Sequence, residues 1–272
     1  MSIPKIIHYC WFGRGKKNEL FYKCFESWKR YCPDFEIIEW NEDNYQIDKN
    51  KYVKEAYEEK KWAFVTDYVR LDVIYNYGGI YLDTDVELVN SLDKLLDLPA
   101  YLGVDSHDLK INTGLGFGAE KGNKVIEGLR DIYNYISFYK EDGELNLTPC
   151  TDYSTNYFEK MGYKKDNRIQ IINGVKILSS NYLSPYNYKN GKKNDDENTI
   201  SIHWYTASWD DEDNKKIHNV EVKILNKFNN KLGLAMCFIY RKSYRMIIAL
   251  KRGKLIELFA KKIKMVIKGN SI

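Results

Sequence analysis

The chain has 272 residues, 44% of them hydrophobic and 29% charged, which suits one well-packed domain with an appendage rather than two full domains. Its longest uninterrupted apolar run, Leu234 to Tyr240, is too short to span a bilayer, its first residues lack a charged-then-apolar leader layout, and its five cysteines have no C-x-x-C spacing. A membrane-spanning protein, a secreted disulfide scaffold and a zinc knuckle are therefore not expected, and the thiols are read as reduced and buried. The net charge of +4 hides an asymmetry: residues 215–272 carry 15 Lys or Arg against Glu221 and Glu257, leaving 27 basic against 36 acidic residues in the first 214. A basic tail on an acidic body points to an anionic partner for the tail.

In chain order, "KIIHYCWF" predicts a buried first strand, "LFYKCFESWKRYC" a helix with Leu20, Cys24 and Ser27/Trp28 on related turns, and "FEIIEW" a second strand. This strand, helix, strand opening is the pattern of an α/β fold with a mainly parallel sheet. "KKWAFVTDYVRLDVIYNYGG" predicts a buried helix, apolar nearly all round, on which Asp67 and Arg70 are spaced i, i+3 and share one face. Gly78 and Gly79 follow, suited to closing the helix because glycine accepts positive φ at no steric cost. A strand is expected from Ile80, with Asp83 and Asp85 two apart on one face of an extended chain. Further on, "AYLGVD" reads as a strand, "INTGLGFGAEKGN" as strand and glycine-rich turn, "KVIEGLRDIYNYISFYK" as one helix and "TISIHWYTASW" as an alternating strand.

Two carboxylates sharing one face repel by roughly 3 kcal/mol at about 5 Å and an effective dielectric of about 20. A hard divalent cation relieves that cost. The carboxyl end of a strand in an open α/β sheet is also where ligands bind.

The segment "WAFVTDYVRLDVIYNYGGIYLDTDVEL" resembles the core of the DXD-containing glycosyltransferases of family 32 and, more distantly, the catalytic domains of the large glucosylating toxins. The shared pattern is an A-x-x-x-D-x-x-R helix, a Gly-Gly turn and a strand ending in D-x-D, here Ala63, Asp67, Arg70, Gly78, Gly79, Tyr81, Asp83 and Asp85. "IPKIIHYCWFG" is similar to the family's opening strand through His8, Trp11 and Gly13, and "IHWYTASW" to its C-terminal H-x-x-x-x-S-W element through His203, Ser208 and Trp209. The resemblance spans about residues 3–210 and leaves the basic tail uncovered.

It implies a GT-A-like fold and a metal-dependent hexosyltransferase that uses a nucleotide diphosphate sugar, UDP-linked, acts on a saccharide acceptor and retains anomeric configuration. By the same resemblance Asp85 ligates Mn²⁺ or Mg²⁺ directly. Asp83 contacts the metal, directly or through water, and the ribose or donor sugar. Arg70 offers a planar fork to phosphate or sugar oxygens, and Asp67 accepts from donor-sugar hydroxyls. Trp11 would stack on the nucleotide base and Trp209 would donate to the β-phosphate. The third metal contact is open between His203 and Ser208. Asp152 in "NLTPCTDYS" is the candidate on the acceptor side; His8 and His107 read as structural.

The expected division is a catalytic domain over 1–214 and a basic helical extension over 215–272. In the tail, "GKLIELFAKKIKMVIKG" spaces Leu255, Leu258, Phe259, Ile263, Val266 and Ile267 as an apolar stripe with lysines opposite, which suits an anionic membrane surface better than nucleic acid. A cytoplasmic protein, peripheral on the cytoplasmic membrane face and serving a lipid-linked acceptor, is the expectation. Two other readings fit parts of the chain. "IYLDTDVEL" also matches the start of aspartate-nucleophile phosphatases, and a non-catalytic metal-dependent lectin would use the acids but leave Arg70 idle.

Overall fold

The computed structural model describes residues 2–206, 212–228 and 231–251, which fall into two compact units. The described part of the first is 2–188 with 192–206. Its elements are β1 (Ile6–Cys10), α1 (Glu19–Tyr31), β2 (Glu36–Trp40), α2 (Lys51–Glu58), α3 (Trp62–Tyr77), β3 (Gly79–Tyr81), β4 (Val86–Leu88), β5 (Ala100–Val104), β6 (Ile111–Asn112), β7 (Phe117–Ala119), α4 (Lys124–Asp131), α5 (Cys150–Lys160), β8 (Gln170–Ile172), β9 (Val175–Leu178), α6 (Ser180–Leu183) and β10 (Ser201–His203).

The main sheet runs β2-β1-β3-β7-β5-β9-β8, with β6 on β5. The β1–β2, β1–β3 and β5–β9 pairings are parallel, and β7 is antiparallel to both β3 and β5, so β1, β2, β3, β5 and β9 all point one way. This is the α/β, GT-A-like arrangement with a mainly parallel sheet that the resemblance implies. Side chains alternate across it. Ile7, Tyr9, Ile80, Leu82 and Tyr101 pack in one core with Phe21, Cys24 and Trp28 of α1, while Cys10, Tyr81, Leu102 and Val104 pack in another with Val65, Val69 and Val73 of α3. Both faces are therefore dry, and the carboxyl ends of β1, β3 and β5 open on the same edge.

Local chemistry sets the element ends. The Asn18 side chain accepts from the Phe21 N–H at 2.8 Å and starts α1. Gly78, at φ 71°, ends α3 by donating its N–H to the Ile74 carbonyl. Gly79, at φ 99°, is pressed so closely on β1 that a Cβ there would lie 2.7 Å from the Ile6 carbonyl oxygen.

Three expectations are corrected. Asp83 and Asp85 do not lie on one extended strand: β3 ends at Tyr81, Thr84 and Asp85 form a turn, and the Val86 N–H donates to the Asp83 carbonyl at 3.0 Å. The chain must turn there because β4 leaves the main sheet to pair with β10. The helix expected over 124–140 stops at Asp131 and, after a 3₁₀ turn at Ile132–Asn134, becomes irregular. The carboxylate of Glu55 on α2 takes the N–H groups of Phe138 and Tyr139, at 2.8 and 3.3 Å, out of any helical pattern. Of the strand read through "TISIHWYTASW", the described residues 199–206 form only Ser201–His203, since Tyr205 takes φ 48°.

The described part of the second unit is 189–191, 212–228 and 231–251. Its helices α7 (Glu212–Lys227) and α8 (Lys231–Lys251) pack together, with the Arg241 guanidinium on the Glu221 carboxylate at 2.5 and 2.8 Å. No helix among the described residues is long and apolar enough to cross a membrane. The amphipathic stretch 254–268 lies outside the described residues. All five cysteines are free, four buried and Cys150 half-buried.

Candidate active site

Asp67 and Arg70 sit one turn apart on α3 and point at the same place because both face the end of β3. Arg70 is 4% exposed. It contacts the Asp67 carboxylate, donates Nε–H to the Thr66 carbonyl at 3.1 Å and keeps Nη1 3.6 Å from Asp83 Oδ1. Its guanidinium also lies 5.3 Å from the Tyr81 ring centroid, and the Tyr81 hydroxyl donates to Asp83 Oδ1 at 2.8 Å. Burial lifts the Asp67 carboxyl to about 6 even with Arg70 beside it. Asp83 is raised as well, by burial first and by its neighbour Asp85, against the pull of Arg70.

The β4–β10 ribbon supplies the other wall. His203, the last residue of β10, stands opposite Val86 in register, which brings its imidazole over the 83–85 turn. Nε2 lies 3.1 Å from Asp85 Oδ1 and 3.9 Å from Asp83 Oδ2, and the three side chains can offer donor atoms within 4.8 Å of one another. Asp85 Oδ2 accepts from the Thr206 N–H and hydroxyl at 2.9 and 2.8 Å, and the Asp85 carbonyl accepts from the Trp204 N–H at 3.0 Å. Burial would raise the Asp85 carboxyl, but His203 and the Thr206 donors hold it well below the usual range. For His203 burial opposes the charge, yet the Asp85, Asp83 and Asp105 carboxylates raise it above its ordinary value. His203 Nδ1 is buried with no hydrogen-bond partner.

Residues not singled out from the sequence complete the floor. Asp105, just past β5, accepts from Asn112 Nδ2 at 3.3 Å and from the Tyr205 hydroxyl. Asn112 Oδ1 accepts from the Gly114 N–H at 2.7 Å, and Gly114 lies so close that a Cβ on it would meet Asp83 Oδ2 at 2.5 Å and Arg70 Nη1 at 3.1 Å. The available signal was positional: "AYLGVD" ends a strand in an acid, as "IYLD" does, and "NTG" follows the next short strand.

Trp11 lies just beyond β1, the neighbour of β3. It is half-buried, donates Nε1–H to the Gly15 carbonyl at 2.8 Å and lines a cleft of about 260 Å³ with Arg14, Lys17, Glu39, Asn41 and Asp43. Asp152 is on the first turn of α5 and is paired with Lys110 at 2.6 Å. His8 accepts from the Trp40 Nε1–H at 3.0 Å and donates Nε2–H to the Gly78 carbonyl at 2.9 Å, so it ties β1 to the end of α3 and stays out of the site. His107 faces Asp108 at 3.3 Å. Ser208 and Trp209 lie outside the described residues.

Residues 18–101 match the family model described as "Glycosyltransferase sugar-binding region containing DXD motif". The chain is 33% identical over 150 residues to inositol phosphoceramide mannosyltransferase 3 of Schizosaccharomyces pombe, an alignment covering 49% of this chain and 39% of that protein. It is 31% identical over 145 residues to the mannosyl phosphorylinositol ceramide synthase SUR1 of Saccharomyces cerevisiae, covering 50% and 36%. The chain thus spans less than two fifths of the length of either curated relative. Among solved structures it is similar to the PaToxG glycosyltransferase, at 20% identity and TM-score 0.45 over 58% of this chain and 69% of that one. Over residues 18–101 the chain thus carries the sugar-binding region of glycosyltransferases that contains the DXD motif, and Asp67, Arg70, Asp83 and Asp85 all lie inside that region and converge on one site.

Proposed function

We propose that this protein transfers a hexose from a nucleotide diphosphate sugar, UDP-linked, to a saccharide acceptor with retention of anomeric configuration, in the assembly of cell-surface polysaccharide or glycoconjugate. The observation that carries the reading is the convergence of Asp83, Asp85 and His203 beside a buried Arg70. Asp67, Asp83 and Asp85 outnumber Arg70, so without an added positive charge the pocket repels a diphosphate. The donor set fits a divalent ion: two carboxylates and an imidazole can each offer a donor atom within 4.8 Å of the others, and His203 Nε2 faces both Asp85 Oδ1 and Asp83 Oδ2. Two oxygens and one nitrogen favour Mn²⁺ over Mg²⁺.

Asp85, Asp83 and His203 would hold that ion. Such an ion would supply positive charge there to offset the charge that builds on a departing diphosphate. Arg70, already fixed by Thr66 and Asp67, presents its remaining N–H groups to donor oxygens at little entropic cost. Asp67 orients the donor sugar through its hydroxyls, and Trp11 offers a ring face to the base in the cleft beyond β1. By family resemblance alone, Trp209 is assigned to the β-phosphate and Ser208 is the alternative to His203 as third metal contact. Asp152, joined to Lys110, is the acceptor-side candidate. The two curated relatives are named for mannosyl transfer and for ceramide-linked substrates, which supports mannose among the candidate hexoses and a lipid-linked acceptor.

The experiment is nucleotide release from a panel of nucleotide sugars, GDP-mannose and UDP-hexoses included, with and without Mn²⁺. Asp85→Ala is expected to abolish release while circular dichroism stays unchanged, and chelation is expected to stop the native protein reversibly. Full turnover in excess EDTA, or phosphate release from sugar phosphates with no reaction on nucleotide sugars, would refute the reading.

A further inference from the structure

Helix α8 carries an outward apolar surface that the α7–α8 pairing leaves uncovered. Gly233, Cys237 and Ala249 are buried, with Cys237 against the Glu221 carbonyl of α7. On other sides of the same helix Leu232, Met236, Ile239, Met246 and Leu250 are 57, 36, 62, 55 and 58% exposed. Their spacing of four, three, seven and four residues keeps them on one stripe along the whole 21-residue helix. Scattered exposed apolar residues need no explanation, but a continuous stripe marks a contact surface.

The charges say which kind of contact. α8 contains Lys231, Arg241, Lys242, Arg245 and Lys251 and no acidic residue. Arg241 is turned to Glu221, whereas Lys231, Lys242 and Arg245 are exposed, the first two on the flank of the stripe. The Lys242 ammonium stands 4.2 Å from the Phe238 ring centroid, and Phe238 is itself 59% exposed. A second copy of α8 laid on this stripe would oppose cations to cations. A nucleic acid would use the cations and leave the apolar side chains in water. An anionic lipid surface satisfies both, the stripe entering the headgroup and acyl boundary and the flanking cations meeting lipid phosphates.

We propose that α8 is an interfacial helix that docks this protein on an anionic membrane. The inference stands independently of the glycosyl-transfer reading, although a lipid-linked acceptor would be presented at such a surface.

The test is co-sedimentation of the full chain with phosphatidylglycerol-containing vesicles and with pure phosphatidylcholine vesicles, for the native protein and for Ile239→Glu/Met246→Glu. Both positions are more than half exposed, so the double variant is expected to keep the native circular dichroism and melting temperature. The native chain is expected to bind anionic vesicles in a salt-sensitive way and neutral vesicles weakly, and the double variant to bind them roughly tenfold or more weakly. A second variant, Lys242→Gln/Arg245→Gln, is expected to lose the anionic preference while keeping residual partition. No sedimentation by the native chain, undiminished binding by the Glu double variant, or a dimer in solution that the Glu variant dissociates would each overturn the proposal.

Discussion

The phenol ring of Tyr205 stands edge-on to the imidazole of His203, with centroids 4.1 Å apart and planes at 72°, while its hydroxyl donates to Asp105 and accepts from Ser184. A left-handed backbone costs a non-glycine residue about 1 kcal/mol or more, and Tyr205 takes it at φ 48°. The ring and hydroxyl contacts hold it there, and the same turn sends the Trp204 and Thr206 N–H groups to Asp85. Tyr205 is thus a positioning residue for His203 and Asp85. Tyr205→Phe keeps the ring but leaves the buried Asp105 without one donor, a loss of about 1.5–3 kcal/mol. Mn²⁺ affinity, read by titration calorimetry without substrate, is expected to fall roughly tenfold, with a parallel loss of kcat/KM. Equal Mn²⁺ affinity in the variant would show that the hydroxyl positions nothing.

Gly114 is needed for lack of a side chain rather than for its torsion. A methyl there would lie 2.5 Å from Asp83 Oδ2, an atom that cannot swing freely because Oδ1 is held by Tyr81 and faces Arg70. Gly114→Ala is expected to displace the Asp83 carboxylate and lower kcat/KM by roughly 100-fold. Thermal melting should show only a small change, so a steady-state assay beside a melting curve separates site damage from unfolding.

Arg70→Lys keeps the charge and loses the fork. Arg70 serves the Thr66 carbonyl and the Asp67 carboxylate and faces Asp83 from three different nitrogens, and a point ammonium cannot reach all three places at once. A drop of about 10²–10³ in kcat is expected, by analogy with the removal of a preorganised donor. Turnover within twofold of the native protein would mean that Arg70 acts only as a bulk charge.

His8 makes a prediction about stability with pH. Burial lowers its folded-state value to about 4, against the ordinary 6.5, while its bond to Gly78 opposes the shift. Because the unfolded chain binds the proton more readily, the stabilising contribution is complete above about pH 6.5 and is lost as pH falls toward 4, a change of roughly 3 kcal/mol. Urea midpoints measured from pH 7 to 4 should fall, and the fall should be shallower in His8→Gln, which accepts and donates but does not titrate. Parallel curves for the two proteins would place the acid sensitivity elsewhere.

Much of this arrangement is written in short-range patterns. The apolar run of α3 with Asp67 and Arg70 one turn apart, the Gly78–Gly79 stop and the alternation along β1 and β3 follow from periodicity and backbone freedom, which act over a few residues. The D-x-D acids could be picked out as a pair for the same reason, although the pair meets through a turn and not along a strand. What brings His203 to them is the register of β10 on β4, across more than 110 residues of chain, and no local propensity encodes a partner at that separation. Asp105, Gly114 and Tyr205 became visible only in the folded chain, since each matters for what it touches and not for its type. The early end of α4 has the same origin: Glu55, on a different helix, takes N–H groups that the local sequence would have given to a helix. Short-range sterics and burial patterns choose the elements, while long-range hydrogen bonds and strand register decide which side chains share a site.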